Sequence, residues 1–223
     1  PFDVRFRDAM VATTQALMEC GFRVIYGYTQ SDEISLLLHP HEATFGRKMR
    51  KYNSILAGEA SATFSLELST KGVFDCRICQ LPSDALVVDY FRWRHEDAHR
   101  NALNAHCYWA LRRQGSDPRE ATGKLSGLSV PAKTELLFKL VNPNYNDLPR
   151  WQRRGTGLYW EEHTKASTDP RSGAPVEAQR RRIKIDFELP MKDEYDRLIE
   201  RMIRSTRGLK PAPARCQARN GSI

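Results

Sequence analysis

Residues 22–39 read FRVIYGYTQSDEISLLLH, two runs of β-branched, aliphatic and aromatic residues on either side of a short polar segment. This pattern predicts two strands joined as a β-hairpin, with the carboxylates of Asp32 and Glu33 at its tip. Because neighbouring strand residues point to opposite faces, the two carboxylates are not expected to act as an acid/base pair. One of them can lie on an open face and bind a hard cation through oxygen. The alternative interpretation is a solvated polar turn.

The segments around the hairpin predict an α+β fold. Helices are predicted at 1–20, 45–68, 83–114, 118–125, 133–140 and 192–203. Strands are predicted at 73–81, 155–163 and 183–189, and polar loops at 142–149 and 168–177. Because helices and strands do not alternate strictly, we expect an antiparallel sheet with flanking helices.

We expect one domain over residues 1–205, with a C-terminal strand–helix extension that begins at about residue 165. Asp3 or a neighbour is the predicted cap of the first helix. The basic, proline-bearing tail at 206–223 is predicted to be disordered.

The long helix at 83–114 is predicted to bury its apolar side chains. The candidates for the core are Leu86, Tyr90, Trp93, Leu103, Trp109 and Leu111. Trp93 and Trp109 are interpreted as core residues and not as platforms for stacking bases. Arg94 and Asp97, three residues apart, predict an ion pair on the helix surface.

Composition favours a polyanionic partner. The chain has 223 residues, 40% of them hydrophobic, and a formal net charge of +8. The basic residues cluster in two places, which predict phosphate-facing rims: Arg150, Arg153 and Arg154, then Arg180, Arg181, Arg182 and Lys184. The alternative is that this charge serves solubility alone.

Cysteine usage and hydropathy predict a cytoplasmic protein without a membrane partner. The five cysteines are an odd, widely spaced set, which argues against a disulfide framework and for a reducing compartment. Cys76 and Cys79 form a single CxxC in a strand-like run, so buried thiols are predicted, with zinc as the alternative. No apolar run approaches the roughly 18 residues needed to span a bilayer.

Several strings together resemble the tRNA-His guanylyltransferase family and its bacterial and archaeal relatives. GYTQSDEISLLL resembles the metal-binding hairpin of that family, and FDCR at 74–77 resembles its FDGR. The strings DYFRWRHEDAHRNALN, AKTELLF, NYNDLP and RRGT follow in the same order as the family's WRQxDxHxNN, DKNELLF, NYNxLP and KGT. The resemblance runs from about residue 1 to residue 160 and is closer to the bacterial-type members.

The resemblance implies a polymerase/cyclase-like palm and an unusual reaction. Members of the family extend tRNA at its 5′ end, in the 3′–5′ direction, with GTP and ATP as substrates and two Mg²⁺ ions about 4 Å apart. The 5′-monophosphate is first activated, and the 3′-hydroxyl of an incoming nucleotide then attacks it. The resemblance also implies a homo-tetramer, and it leaves open whether the substrate is tRNA-His or a truncated tRNA that needs repair.

The resemblance carries specific roles onto residues of this chain. Asp32 matches a metal-binding aspartate, Ser31 the serine beside the nucleotide phosphates, and Glu33 an acid important for activity, which is a second candidate metal ligand. His99 is carried over as a catalytic residue. The remaining positions are carried over as nucleotide-binding: Lys51, Arg77, Asn101, Lys133, Glu135 and Asn144.

Two departures from the family pattern keep other functions open. The family's first metal aspartate lies in a strand before the first helix, and the expectation is that this chain begins inside that helix, at Pro1. The HxNN motif reads His99-Arg100-Asn101-Ala102, without its second asparagine. The alternatives are therefore a non-catalytic tRNA-binding protein, motivated by the absent aspartate, and a nucleotide cyclase, which shares the palm.

Overall fold

The structure is a computed structural model, and it describes residues 2–141, 144–168 and 174–207. Within these ranges the chain forms seven α-helices and four β-strands. In chain order they are α1 (Val4–Glu19), β1 (Val24–Gln30), β2 (Glu33–Leu38), α2 (Met49–Leu68), α3 (Asp84–Arg113), α4 (Pro118–Leu125), α5 (Val130–Val141), α6 (Arg150–Arg154), β3 (Thr156–Thr168), β4 (Pro175–Asp186) and α7 (Asp193–Arg207).

The strands form one antiparallel sheet in the order β2-β1-β3-β4. The predicted hairpin is confirmed, because Gln30 pairs with Glu33 across the two-residue connection Ser31-Asp32. β1 also pairs with β3, from Tyr26↔Tyr159 to Thr29↔Thr156. The antiparallel α+β class predicted from the sequence is thereby confirmed.

Helices cover both faces of the sheet because β1 and β2 carry apolar side chains on both sides. Tyr26 and Tyr28 face α3 and α7 in one hydrophobic cluster. The other face packs against α1 and α2. Gly27 faces α1, where an added Cβ would lie 2.6 Å from Thr14 Cγ2, so the absent side chain lets the helix approach the sheet.

A third apolar cluster lies beyond the sheet, where the C-terminal half of α3 packs against α4 and α5. Leu103, Leu111, Leu125 and Leu137 are buried there. α4 begins with a capping box in which Asp117 and Glu120 each accept a hydrogen bond from the other's backbone N–H. α3 therefore belongs to two cores, one under the sheet and one outside it.

The first and longest helices both begin at a side-chain cap, and the cap of the first was predicted. Asp3 caps α1, and its Oδ1 accepts a hydrogen bond from the Arg5 backbone N–H at 2.8 Å. Ser83 caps α3 in the same way through the Leu86 N–H. Gly21, at φ +100°, follows α1, as the sequence predicts.

The predicted strand at 73–81 is wrong. This segment forms no ladder in the structure, although Phe74, Cys76 and Ile78 are half-buried and the residues between them are exposed. Its side chains therefore alternate as in a strand, but none of the described strands lies beside it in hydrogen-bonding position. Cys79 is exposed, so the prediction that it is a buried thiol is also wrong.

Several element boundaries differ from the predictions. α2 begins at Met49 and not at residue 45, because Phe45 and Gly46 have left-handed φ values of 54° and 61°. β4 begins at Pro175, inside the predicted loop, and α6 was not predicted. α7 continues to Arg207. Residues 169–173 of the predicted loop and 208–223 of the predicted tail lie outside the described residues.

The core face of α3 is only partly as predicted. Leu103 and Leu111 are buried, whereas Leu86, Trp93 and Trp109 are 43%, 53% and 47% exposed. The physical reason is that small and polar residues, among them Ala98 and Ala102, occupy the buried face and let α3 pack closely. Hydrophobicity alone therefore identified only part of the buried face of this helix.

No helix in the described part of the chain combines the length and the apolar composition that crossing a bilayer requires.

We predict that Gly155→Ala lowers the free energy of unfolding by about 2 kcal/mol. Gly155 has φ +74°, and an added Cβ would lie 2.7 Å from the Thr29 carbonyl oxygen and from the Tyr28 hydroxyl. The control is Gly58→Ala on the exposed face of α2, where nothing lies within 4 Å. That change should raise stability by about 0.5 kcal/mol or more. Urea unfolding measures both, and equal effects of the two substitutions would contradict the prediction.

We also predict that His95 makes the protein less stable in mild acid. Its ring is 3% exposed and stacks on Tyr195 with 4.3 Å between centroids, and burial lowers its pKa from 6.5 to about 4. The unfolded chain therefore binds the proton first, so this stability is complete above pH 6.5 and is lost as the pH falls towards 4. The loss between pH 7 and pH 5 should be about 2 kcal/mol.

Urea unfolding at the two pH values tests this expectation. His95→Phe should remove about that much of the pH dependence. An unaltered pH dependence in His95→Phe would exclude His95 as its cause.

Candidate active site

A cavity of about 670 Å³ lies between the hairpin tip, the start of α1 and the middle of α3. The tip contributes Ser31, Asp32 and Glu33, and α3 contributes Asn101, so the structure brings together four residues that the sequence predicted. The cavity walls also include residues that were not predicted for the site: Arg5, Arg7, Gln30, Arg94, Asp97 and Trp151.

The hairpin tip is held in a defined conformation. Ser31 has φ 53°, in the left-handed region that few side chains adopt. The Thr29 hydroxyl donates to the Glu33 carbonyl oxygen at 3.0 Å, and the Gln30 side-chain amide donates to the Gln152 carbonyl oxygen at 3.1 Å. One hydrogen bond thus closes the turn and the other connects it to α6, so the acidic residues of the tip have a fixed position above the cavity.

The two carboxylates at the tip have different surroundings. Asp32 is exposed, lines the cavity and has no hydrogen bond or ion pair among the described residues. Glu33 is 61% exposed and forms an ion pair with Arg94, whose side chain is only 12% exposed. Asp32 is therefore available to a ligand, while Glu33 is already partnered.

The face of α3 that lines the cavity carries polar residues between alanines. Asp97 accepts hydrogen bonds from the side chains of Asn101, at 3.0 Å, and Arg100, at 3.3 Å. The predicted pair between Arg94 and Asp97 is therefore wrong, because Arg94 turns to the hairpin. The spacing of residues 94, 97, 98, 101, 102 and 105, which all line the cavity, is a helical stripe that could have identified this face from the sequence.

Arg7, on α1, lines the cavity on the side away from α3. Its guanidinium lies over the rings of Trp151, at 4.7 Å, and Phe187, at 4.9 Å. Its Nε donates to Asp8 at 2.8 Å. Because the cation is held by two rings and a carboxylate, Arg7 joins α1 to α6.

His99 lies beside the cavity but does not line it. Its ring contacts Tyr145, with 5.1 Å between centroids, and the Tyr145 hydroxyl donates to the His99 carbonyl oxygen at 2.9 Å. Burial, followed by the charges of Arg153 and Arg154, lowers the pKa of His99. Its Nδ1 is buried without a hydrogen-bond partner in the described part of the chain.

The remaining predicted nucleotide-binding residues lie outside the cavity. Lys133 donates to Asn104 Oδ1 at 2.9 Å, and Glu135 pairs with Lys139 at 2.8 Å on the surface of α5. The Asn144 side chain accepts from the Asn146 N–H and so caps a short turn. Lys51 is exposed on the first turn of α2, and the side chain of Arg77 is 88% exposed, 3.7 Å from Asp75.

The predicted basic rims differ from each other. Arg153 is 5% exposed, and its Nε donates to the Leu148 carbonyl oxygen, so the prediction that it faces phosphates is wrong. Arg154 is half-buried and donates to the Leu189 carbonyl oxygen at 2.8 Å. Both are turned inward because the short α6 packs against α3. In the second cluster, Arg180, Arg181, Arg182 and Lys184 are exposed on β4, with Arg182 paired to Glu161.

The donor set at the tip fits Mg²⁺ in part. Mg²⁺ prefers oxygen ligands and is commonly held by one or two carboxylates together with substrate phosphates and water. Asp32 supplies such a carboxylate, and Glu33 supplies a second if it leaves Arg94. Among the described residues there is no cluster of three or more His, Cys, Asp or Glu side chains able to hold a metal ion by themselves.

Comparisons with known proteins identify related sequences and structures over most of the chain. The family described as tRNAHis guanylyltransferase (Thg1) matches residues 1–82, and the Thg1 C terminal domain family matches residues 85–199. A Mus musculus protein named probable tRNA(His) guanylyltransferase is 29% identical over 194 residues, which cover 82% of this chain and 65% of the mouse protein. The chain spans about 60 to 65% of the length of its mammalian relatives.

Solved structures extend the likeness to three dimensions. A bacterial tRNA(His) guanylyltransferase (Thg1)-like protein in complex with ATP has a TM-score of 0.70 and 26% identity, covering 91% of this chain and 81% of the other. A bacterial protein of the same description in complex with GTP has a TM-score of 0.64 and 25% identity, covering 91% and 80%. The two family matches together reach from residue 1 to residue 199. This chain belongs to the tRNA(His) guanylyltransferase family.

Proposed function

We propose that this chain carries the nucleotidyltransferase site of an enzyme that adds a nucleotide, GMP from GTP, to the 5′ end of tRNA in the 3′–5′ direction. The observation that carries the proposal is the unpaired carboxylate of Asp32 on a fixed turn, above a cavity of about 670 Å³. Family membership and relatives described as complexes with ATP and with GTP support it.

The residues of the cavity fit a site for nucleoside triphosphates. In the proposed reaction the tRNA 5′-phosphate is activated with ATP or GTP, and the 3′-hydroxyl of the incoming nucleotide then displaces the activating group. Phosphoryl transfer needs mainly positioning and charge neutralisation. Asp32, with Glu33 when it is released from Arg94, would hold two Mg²⁺ ions, which supply charge neutralisation when bound. Asn101 and the Ser31 hydroxyl can orient phosphate or sugar oxygens.

The finer description of the fold, a polymerase/cyclase-like palm that lacks its first strand, is part of this proposal. Among the residues that the structure describes, β2 pairs with β1 alone, which leaves its other edge without a partner strand there. The extended segment 72–79 has the alternating burial of a strand without a ladder, and it packs in the same apolar cluster as Ile34, Leu36 and Leu38. A further strand between β2 and segment 72–79 would hydrogen-bond to the backbone of each.

A cytoplasmic location and a homo-tetramer also belong to the proposal.

A non-catalytic tRNA-binding protein is the second candidate. The observation in its favour is that the described residues hold no cluster of three or more metal-ligand side chains, and that Glu33 is occupied by Arg94. The exposed basic residues of β4 would still attract phosphates. This candidate predicts that the wild-type chain binds tRNA but adds no nucleotide to it.

We predict that Asp32→Asn lowers 5′ addition of labelled GTP to tRNA by at least about 100-fold, because an amide cannot replace a metal-binding carboxylate. Glu177→Gln, an amide substitution at an exposed position of β4, is the matched control and should keep full activity. Binding of tRNA, measured by filter retention, should change less than about threefold in either variant. Equal activity of Asp32→Asn and wild type would overturn the proposal, and absent activity with intact tRNA binding in wild type would favour the second candidate.

Amide hydrogen exchange tests the proposed position of the further strand. In an antiparallel strand every second N–H points away from its partner, so half of the β2 amides face the free edge. We expect these amides, and those of residues 75–79, to exchange rapidly in this chain alone, whereas the Phe74 N–H, which donates to the Ser61 hydroxyl, should exchange more slowly. They should become protected when a protein that contains the strand is measured. Slow exchange in this chain alone would show that its own segments already close the sheet.

A further inference from the structure

Arg94 is the most buried cation that faces the hairpin tip. Its side chain is 12% exposed, lies on α3 and lines the cavity. Its guanidinium contacts the carboxylate of Glu33 and lies over the ring of its neighbour Trp93, at 5.0 Å. The other two arginines of the cavity are engaged elsewhere, Arg5 with Asp3 and Arg7 with Asp8.

A guanidinium that is largely shielded from water is stabilised by an anion beside it. Removal of the only partner of a buried charge is strongly destabilising, because the charge is then neither hydrated nor paired. The nearest alternative on α3, Asp97, already accepts hydrogen bonds from Arg100 and Asn101. Among the described residues, Glu33 is therefore the one carboxylate that neutralises Arg94.

Glu33 can leave this ion pair more easily than Arg94 can. The carboxylate is 61% exposed, at the first position of β2 and next to Asp32, so water or a cation at the tip can replace the arginine. Arg94 is held more firmly, because its side chain is only 12% exposed and its guanidinium lies over the Trp93 ring. The pair is thus asymmetric: an anion that enters the cavity can take the place of Glu33, and the guanidinium stays where it is.

We infer that Arg94 is a phosphate-binding residue of the nucleotide site, and that Glu33 holds the place of the phosphate while the site is empty. This inference rests on the proposed function, because it assumes that a triphosphate enters this cavity. The planar guanidinium offers parallel N–H donors to two phosphate oxygens, which suits a triphosphate better than a single lysine ammonium would. As the phosphate binds, Glu33 becomes free to act together with Asp32.

Because Glu33 and phosphate compete for Arg94, removing the Glu33 charge is expected to strengthen phosphate binding. Without divalent cations, Glu33→Gln should bind inorganic tripolyphosphate more tightly than wild type, because the internal competitor is gone. Arg94→Ala should bind tripolyphosphate and GTP about 10- to 100-fold more weakly, the range expected for a charge-assisted hydrogen bond. Binding of guanosine, which carries no phosphate, should not change. Arg94→Lys should fall between wild type and Arg94→Ala.

Isothermal titration calorimetry of the full chain measures these affinities, with Arg113→Ala as the matched control. Arg113 lies on the same helix, is exposed and is outside the cavity, so its substitution should leave every affinity unchanged. Circular dichroism melting checks that each variant is folded. If Arg94→Ala does not fold, Arg94→Lys keeps the charge and still reports the loss of the paired donors.

The double variant Glu33→Gln/Arg94→Ala separates direct from indirect action. If Arg94 contacts phosphate, the double variant should not show the tighter tripolyphosphate binding of Glu33→Gln. It should bind tripolyphosphate as weakly as Arg94→Ala. If removing Arg94 has no effect once Glu33 is Gln, Arg94 acts only by holding Glu33 and the inference is overturned. Wild-type protein that binds neither GTP nor ATP would instead refute the proposed function, whereas equal GTP affinity of wild type and Arg94→Ala refutes only the inference.

Discussion

The antiparallel pairing of β1, with β2 on one side and β3 on the other, is the constraint on which the rest of the structure depends. It fixes the two-residue connection Ser31-Asp32 at one end of the sheet. Helices pack on both faces of the paired strands, so the turn cannot shift without disturbing two apolar clusters. A short polar turn, which would be mobile in isolation, thereby becomes a rigid support for a carboxylate.

α3 completes the site because it serves two cores at once. Its first half packs under the sheet, and its second half packs with α4 and α5. Small residues such as Ala98 and Ala102 let its middle approach the hairpin, where Arg94 meets Glu33 and Asn101 enters the cavity wall. The charge at the tip is therefore balanced between two residues, Glu33 and Arg94, that are more than sixty positions apart in sequence.

The fold and the site were predictable wherever a local pattern was enough. The hairpin, the cap at Asp3, the extent of α3 and the antiparallel α+β class follow from alternation, capping residues and helical spacing. Some predictions that depend on a distant partner were wrong. Residues 73–81 have the pattern of a strand, but no strand in the described part of the chain pairs with them. Trp93 and Trp109 are exposed because alanines occupy the close contact. Arg153 is charged in sequence yet buried, since its partner is a carbonyl group.

The sequence by itself determined that Asp32 and Glu33 would stand at a hairpin tip, because strand propensity and a polar turn are local properties. Only the tertiary structure decided that the two acids differ, one unpaired and one bound to Arg94. It also decided that Asn101 shares their cavity, whereas Lys51, Arg77, Lys133 and Glu135 lie elsewhere. The physical reason is that the partner of a charge depends on which face of a packed helix approaches it, and that face is selected by the whole core.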